Sequence, residues 1–140
     1  MGDSVLELAV VANQSAFMQT SDALTEVLNE HGLTNATAQA LWAIAPEGEP
    51  PSMKTVAERL FCNAPNLTFV VNQLLDRGLV VKSVDPNDRR SRTVALTEDG
   101  TRVRRAVIDA TLAASPLANL DEQELRSLVD LLAKATGAHR

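Results

Sequence analysis

Apolar positions repeat at helical spacing along most of the chain. Val5, Leu8, Ala9, Ala12 and Ala16, then Leu24, Val27 and Leu28, predict a first helix over about 4–30. Thr20-Ser21 is a weak spot that leaves room for a bend, and His31-Gly32 is its stop. Thr34 or Asn35 caps a second helix over 36–45, which ends in a loop holding Pro46, Gly48, Pro50 and Pro51. Ser52 caps a short helix over 53–61 on its own, because Glu58 lies beyond the capping-box position. Asn63-Ala64-Pro65 opens a fourth helix, Pro65 suiting a first turn where its missing N–H costs nothing. Leu67, Val70, Val71, Leu74 and Leu75 form its apolar face, and Arg77-Gly78 ends it.

The pattern then changes from helical to β-like. The β-branched run 79–84 and the alternating 93–96 predict two short strands around the turn Asp85-Pro86-Asn87-Asp88. The result is a hairpin with Arg89, Arg90 and Arg92 at its tip, where Asp85 and Asp88 stand ready to pair with some of them. Thr97 caps a further helix to about 114, and Pro116 breaks it. An Asp121/Glu124 capping box starts the last helix, over 122–135, with Leu125, Leu128, Val129 and Leu132 on one face. The predicted fold is mainly α with a small β-hairpin wing. A winged helix-turn-helix core, approximately 34–96, sits between terminal helices at approximately 4–30 and 97–137, all within one domain over 1–140.

A helix followed by a two-stranded wing is built to meet a duplex. The second helix of the pair fits a major groove about 12 Å wide, and hairpin arginines reach a minor groove of enhanced negative potential. Net charge, −5 over 140 residues, argues against nucleic acid, but the average hides a segregation. Residues 50–105 carry ten Lys/Arg against six Asp/Glu, and the rest of the chain three against twelve. A basic middle between acidic ends suits a DNA-binding module on an acidic frame. One cysteine excludes an internal disulfide and points to a reducing compartment, hence a cytoplasmic protein. No apolar run reaches the roughly 18 residues of a membrane helix, Asp3 and Glu7 stand where a signal peptide is basic, and Leu6 stands where myristoylation needs Ser or Thr.

The stretches Val56-Ala57-Glu58-Arg59-Leu60 and Asn72-Gln73-Leu74-Leu75-Asp76-Arg77-Gly78-Leu79-Val80 resemble the MarR family of bacterial transcriptional regulators. So, above all, does the wing, Asp85-Pro86-Asn87-Asp88-Arg89-Arg90 leading into Leu96-Thr97-Glu98-Asp99-Gly100. The resemblance covers essentially the whole chain. It implies a triangular homodimer built from the first, fifth and sixth helices, and palindromic double-stranded operators. It also implies repression relieved by a small, often aromatic or phenolic ligand, or by thiol oxidation. The composition supports the dimer independently, since Val5, Leu8, Leu120, Leu125, Leu128 and Leu132 have few partners in so small a domain. Two departures stand out. Phe69 and Gln73 occupy recognition-helix positions that are usually basic in the family. Cys62 replaces a common aliphatic, and Phe61 a common glycine.

The candidate DNA-binding residues are therefore Asn63, Pro65, Asn66, Thr68, Phe69, Asn72 and Gln73 on the fourth helix, and Arg89, Arg90 and Arg92 on the wing. Asn and Gln pair bidentately with adenine, and Phe69 suits a thymine methyl. Phe17 and Trp42, two of only four aromatic residues, are read first as core and second as ligand contacts. Cys62 has no basic residue closer in sequence than Arg59, and it is read as a small packing residue rather than a sensor. His31 belongs to a helix end, and His139 forms no metal site with it. No phosphate-binding loop, nucleophile elbow or His-Glu-x-x-His motif is present, so neither enzyme, cofactor nor metal is expected. The alternative function is a winged-helix protein-interaction module with weak or no DNA binding.

Overall fold

The computed structural model describes residues 4–61 and 63–138. Their order is α1 (Val5–Glu30), α2 (Asn35–Ala43), α3 (Met53–Leu60), α4 (Ala64–Asp76), β1 (Val80–Asp85), β2 (Asp88–Leu96), α5 (Glu98–Ala114), a 3₁₀ turn (Pro116–Asn119) and α6 (Glu122–Thr136). The fold is mainly helical with one antiparallel hairpin, as the sequence pattern predicts. The chain divides into two compact units, Leu24–Ala110 and the pairing of Met1–Ala23 with Thr111–Arg140.

Within Leu24–Ala110 the core is aliphatic. Leu41, Ile44, Val56, Leu67, Val71, Leu74 and Val94 are fully buried, so α2, α3, α4 and β2 share one interior. The caps that position these helices are local. Thr34 and Thr37 form a reciprocal box at the start of α2, Ser52 accepts from Thr55 N, and Asn63 accepts from Asn66 N. Two helices end alike. Leu33 N donates to Leu28 O at 2.8 Å behind Gly32, and Leu79 N donates to Leu74 O at 3.0 Å behind Gly78. Both glycines take positive φ, and the leucines that close each turn are buried. α1 is helical from Val5 to Glu30, Thr20-Ser21 included, and Thr20 Oγ1 donates back to Ala16 O at 3.1 Å.

α2 is held by arginines distant in sequence. Arg104 of α5 donates from Nε to Leu41 O at 3.2 Å and from Nη2 to Trp42 O at 3.1 Å. Arg59 of α3 donates to Ala43 O at 2.7 Å. Cations on orphan carbonyls at a helix C-terminus satisfy them and oppose the macrodipole. The start of α5 meets the backbone of the turn that leads from α4 into β1. Thr97 N donates to Leu79 O at 3.0 Å and Thr97 Oγ1 to Gly78 O at 2.7 Å, while Thr97 Oγ1 accepts from Gly100 N. A β-carbon on Gly100 would collide with the Leu79 carbonyl oxygen, which is the physical content of the Leu-Thr-x-x-Gly pattern.

In the other unit few side chains are buried. Val5, Leu6, Leu8, Val10 and Val11 on α1, Leu112 at the end of α5, and Val129, Leu131 and Leu132 on α6 are all exposed. Leu125 and Leu128 are half-buried. The Asp121/Glu124 capping box forms as expected, and Gly137 closes α6. Among the described residues no helix is long and apolar enough to cross a membrane.

Candidate nucleic-acid interface

The period of α4 decides which side chains are available. Leu67, Val71 and Leu74 are buried. Pro65, Phe69 and Asn72, spaced i, i+4, i+7, form an outward row, with Asn66 and Thr68 also exposed. Phe69 is 66% exposed, consistent with a reader and not with a core residue. Asn63 stands at the N-terminal end, its Oδ1 occupied as the cap. Gln73 differs from the others. It is half-buried and lines a cleft of about 290 Å³ with Gly32, Thr34, Thr37, Asp76 and Arg77. Asp76 continues the outward row at the far end, so the N-terminal part of α4 is free of negative charge and its far end is not. That polarity matches the usual docking of a recognition helix, N-terminal residues foremost.

The wing corrects three expectations. The second strand does not begin at Thr93: it begins at Asp88, leaving Pro86-Asn87 as the connection. Arg89, Arg90 and Arg92 therefore lie in β2 and not in a loop. They fall where the pairing jumps from Val84↔Arg92 to Asp85↔Asp88, which makes β2 bulge. Asp85 and Asp88 form no ion pair with them. Asp85 Oδ1 accepts from Asn87 N at 2.9 Å and Asp88 Oδ1 from Arg90 N at 3.0 Å, so both carboxylates shape the turn. Arg92 folds back onto the carbonyls of Arg89 and Ser91. The Arg89 and Arg90 side chains have no partner among the described residues and are exposed. β2 is braced from behind by Val94 N donating to Pro51 O at 2.9 Å and by a Ser52↔Thr93 bridge.

The basic segment is thus less uniform than its sum. Arg59 and Arg104 cap α2, Arg102 pairs with Asp99 and Arg105 with Asp109. The Arg77 guanidinium fills the space a β-carbon on Gly32 would need. Of the wing cations, Arg89 and Arg90 at the tip and Lys82 on β1 are left without a partner among the described residues. No sequence signal separates these groups, because several of the partners lie far apart along the chain.

Phe61, the residue standing for glycine, ends α3 at φ +53° and is 93% exposed. An L-residue there carries a cost on the order of 1–2 kcal/mol. Neither Trp42, 40% exposed, nor Phe17, 58% exposed, is a core residue, contrary to the first reading of both. Trp42 borders an interior already filled by aliphatic side chains, and Phe17 belongs to the unit in which few side chains are buried. Cys62 and His139 lie outside the described residues. No group of three or more metal-ligating side chains occurs among the described residues.

Comparison with known proteins agrees with this geometry. The sequence profile of the MarR family matches residues 31–91, the span of α2 through the wing arginines Arg89 and Arg90. The chain is 30% identical over 126 residues to the uncharacterized HTH-type transcriptional regulator YkoM of Bacillus subtilis, covering 89% of this chain and 80% of that one. It is 27% identical over 106 residues to the HTH-type transcriptional regulator SarZ of Staphylococcus epidermidis, covering 76% and 71%. The crystal structure of CouR from Rhodococcus jostii RHA1, bound to p-coumaroyl-CoA, shares the fold. Its TM-score is 0.81 at 23% identity, over 99% of this chain and 95% of that one. The chain belongs to the MarR family of winged helix-turn-helix, DNA-binding transcriptional regulators.

Proposed function

We propose that two copies of this chain act together in the cytoplasm as a repressor, binding a palindromic operator that a small effector makes them release. Like its family, the protein regulates transcription and is not an enzyme. The observation that carries the DNA reading is the wing. Arg89 and Arg90 are exposed and unpaired among the described residues because the nearby carboxylates are held by backbone N–H groups. In this reading the wing arginines hold phosphates or the minor groove, and Asn63, Pro65, Asn66, Thr68, Phe69 and Asn72 meet base edges. Gln73 contributes from the flank of α4, beside its cleft. Association of two copies is supported by the apolar side chains that α1 and α6 expose. An aromatic or phenolic effector is supported by the p-coumaroyl-CoA held by CouR and by the uncovered rings of Phe17 and Trp42.

Cations and amides separate by their salt dependence. Arg90→Ala weakens every duplex and flattens the slope of log affinity against log salt by about 1 for each phosphate it leaves without a cation. Asn72→Ala leaves the slope unchanged and relaxes discrimination at one base pair per half-site by roughly 1–3 kcal/mol. Anisotropy titrations over a salt series measure both. Native affinity in Arg90→Ala overturns the wing assignment, and a native chain that binds no duplex above non-specific levels favours the protein-interaction module.

A further inference from the structure

Phe61 combines two features that do not serve the folded chain. Its backbone lies at φ +53°, where every other described residue with positive φ is glycine. Its ring is 93% exposed, so no burial offsets the conformation. Its place is the turn between α3 and α4, two residues before Asn63, the cap of α4. Phe69 adds a second exposed ring eight residues on, in the outward row of α4. The apolar side chains suited to a second copy of the chain, Val5 to Val11 and Val129 to Leu132, belong to the other compact unit.

We propose that Phe61 is a DNA-contacting residue, its ring packing on the apolar groups of the duplex beside the groove that α4 enters. Those groups are deoxyribose carbons or a thymine methyl. The proposal rests on the reading of α4 as the recognition helix and extends its interface into the preceding turn. The logic is one of substitution. α4 carries no cation, so its share of affinity comes from apolar and amide contacts, and an aromatic held outward in the turn adds to the first kind. A contact of this kind releases no counterions, so its contribution does not change with salt.

The test uses the full chain and a fluorescent duplex that the native protein selects from a random pool. Phe61→Ala and Phe61→Gly each lower affinity about tenfold, by the same factor at every salt concentration, so the salt slope stays native. Phe61→Gly also raises Tm by about 2–4 °C, because glycine relieves the left-handed conformation, while Phe61→Ala, which keeps it, does not. A glycine variant that is more stable and binds less well is the signature of a ring maintained for DNA. A second duplex with deoxyuridine for thymidine locates the contact. A deficit that vanishes on it places the ring on a methyl, and a deficit that persists places it on deoxyribose. If both Phe61 variants keep native affinity while Arg90→Ala loses it, the proposal is overturned and the wing reading stands. If all three keep it, both fall. If Phe61→Ala loses DNA because the protein dissociates in light scattering, the ring belongs to a contact between copies and the proposal is overturned.

Discussion

Replacing Gly100 by alanine tests the joint between the hairpin and α5. The added β-carbon would overlap the Leu79 carbonyl oxygen and lie 2.9 Å from its carbon and 3.3 Å from Leu79 Cα. These are backbone atoms, so no side-chain rotation makes room. α5 has to retreat, and the retreat acts on two hydrogen bonds at once, Thr97 N to Leu79 O and Thr97 Oγ1 to Gly78 O. Their loss costs about 1 kcal/mol each. Displacing the buried Leu79 and Val103 adds about 1–3 kcal/mol. Alanine returns about 1 kcal/mol through its higher helix propensity. The net loss is about 2–4 kcal/mol, a large part of a small domain's stability. Urea unfolding followed by far-UV circular dichroism measures it, at one fixed chain concentration because association raises apparent stability. Gly48→Ala is the control: φ is +79° there, but nothing lies within 4 Å of the absent β-carbon. It carries only the conformational cost, on the order of 1–2 kcal/mol. A Gly100→Ala protein within about 0.5 kcal/mol of native would refute the argument, for that is the scatter of a neutral surface substitution.

Arg104→Ala uncovers the carbonyls of Leu41 and Trp42 and lowers stability by about 1–2 kcal/mol in the same titration. Arg104→Lys recovers only part, since one ammonium does not reproduce the fork that meets two carbonyls; full recovery would show that charge alone matters. Val129→Glu with Leu132→Glu, both at exposed positions of α6, is expected to give monomers in light scattering if two copies associate as proposed. A native mass in that double variant would remove α6 from the proposed contact.

Local chemistry is legible in the sequence wherever a feature closes within a few residues. The Ser52 and Asn63 caps, the Asp121/Glu124 box and the glycine stops at Gly32 and Gly78 all bond across three to five positions. The outward row Pro65, Phe69, Asn72 follows from the helical period and a buried opposite face. The start of β2 is not legible. Asp88 to Arg92 carry no alternation, and what makes them strand is backbone pairing across a bulge. Gln73 shares the composition of a base reader, yet its side chain lines the cleft beside the α1–α2 turn, which only the packing of α4 determines.

The sequence by itself determined the order of the elements and the hairpin, which rest on short-range spacing of apolar, capping and turn residues, and the family, which rests on the resemblance of its motifs. The tertiary structure alone decided which charges and rings are free. Arg59 and Arg104 look like Arg89 and Arg90 in composition, but carbonyls up to 63 positions away claim the first two. Asp85 and Asp88 look like partners for the wing arginines, but backbone N–H groups claim them instead. Phe17 and Trp42 look like core, but the folded chain covers neither ring. A side chain's availability depends on what folding brings against it, and those partners are set by packing across the chain and not by its neighbours in sequence.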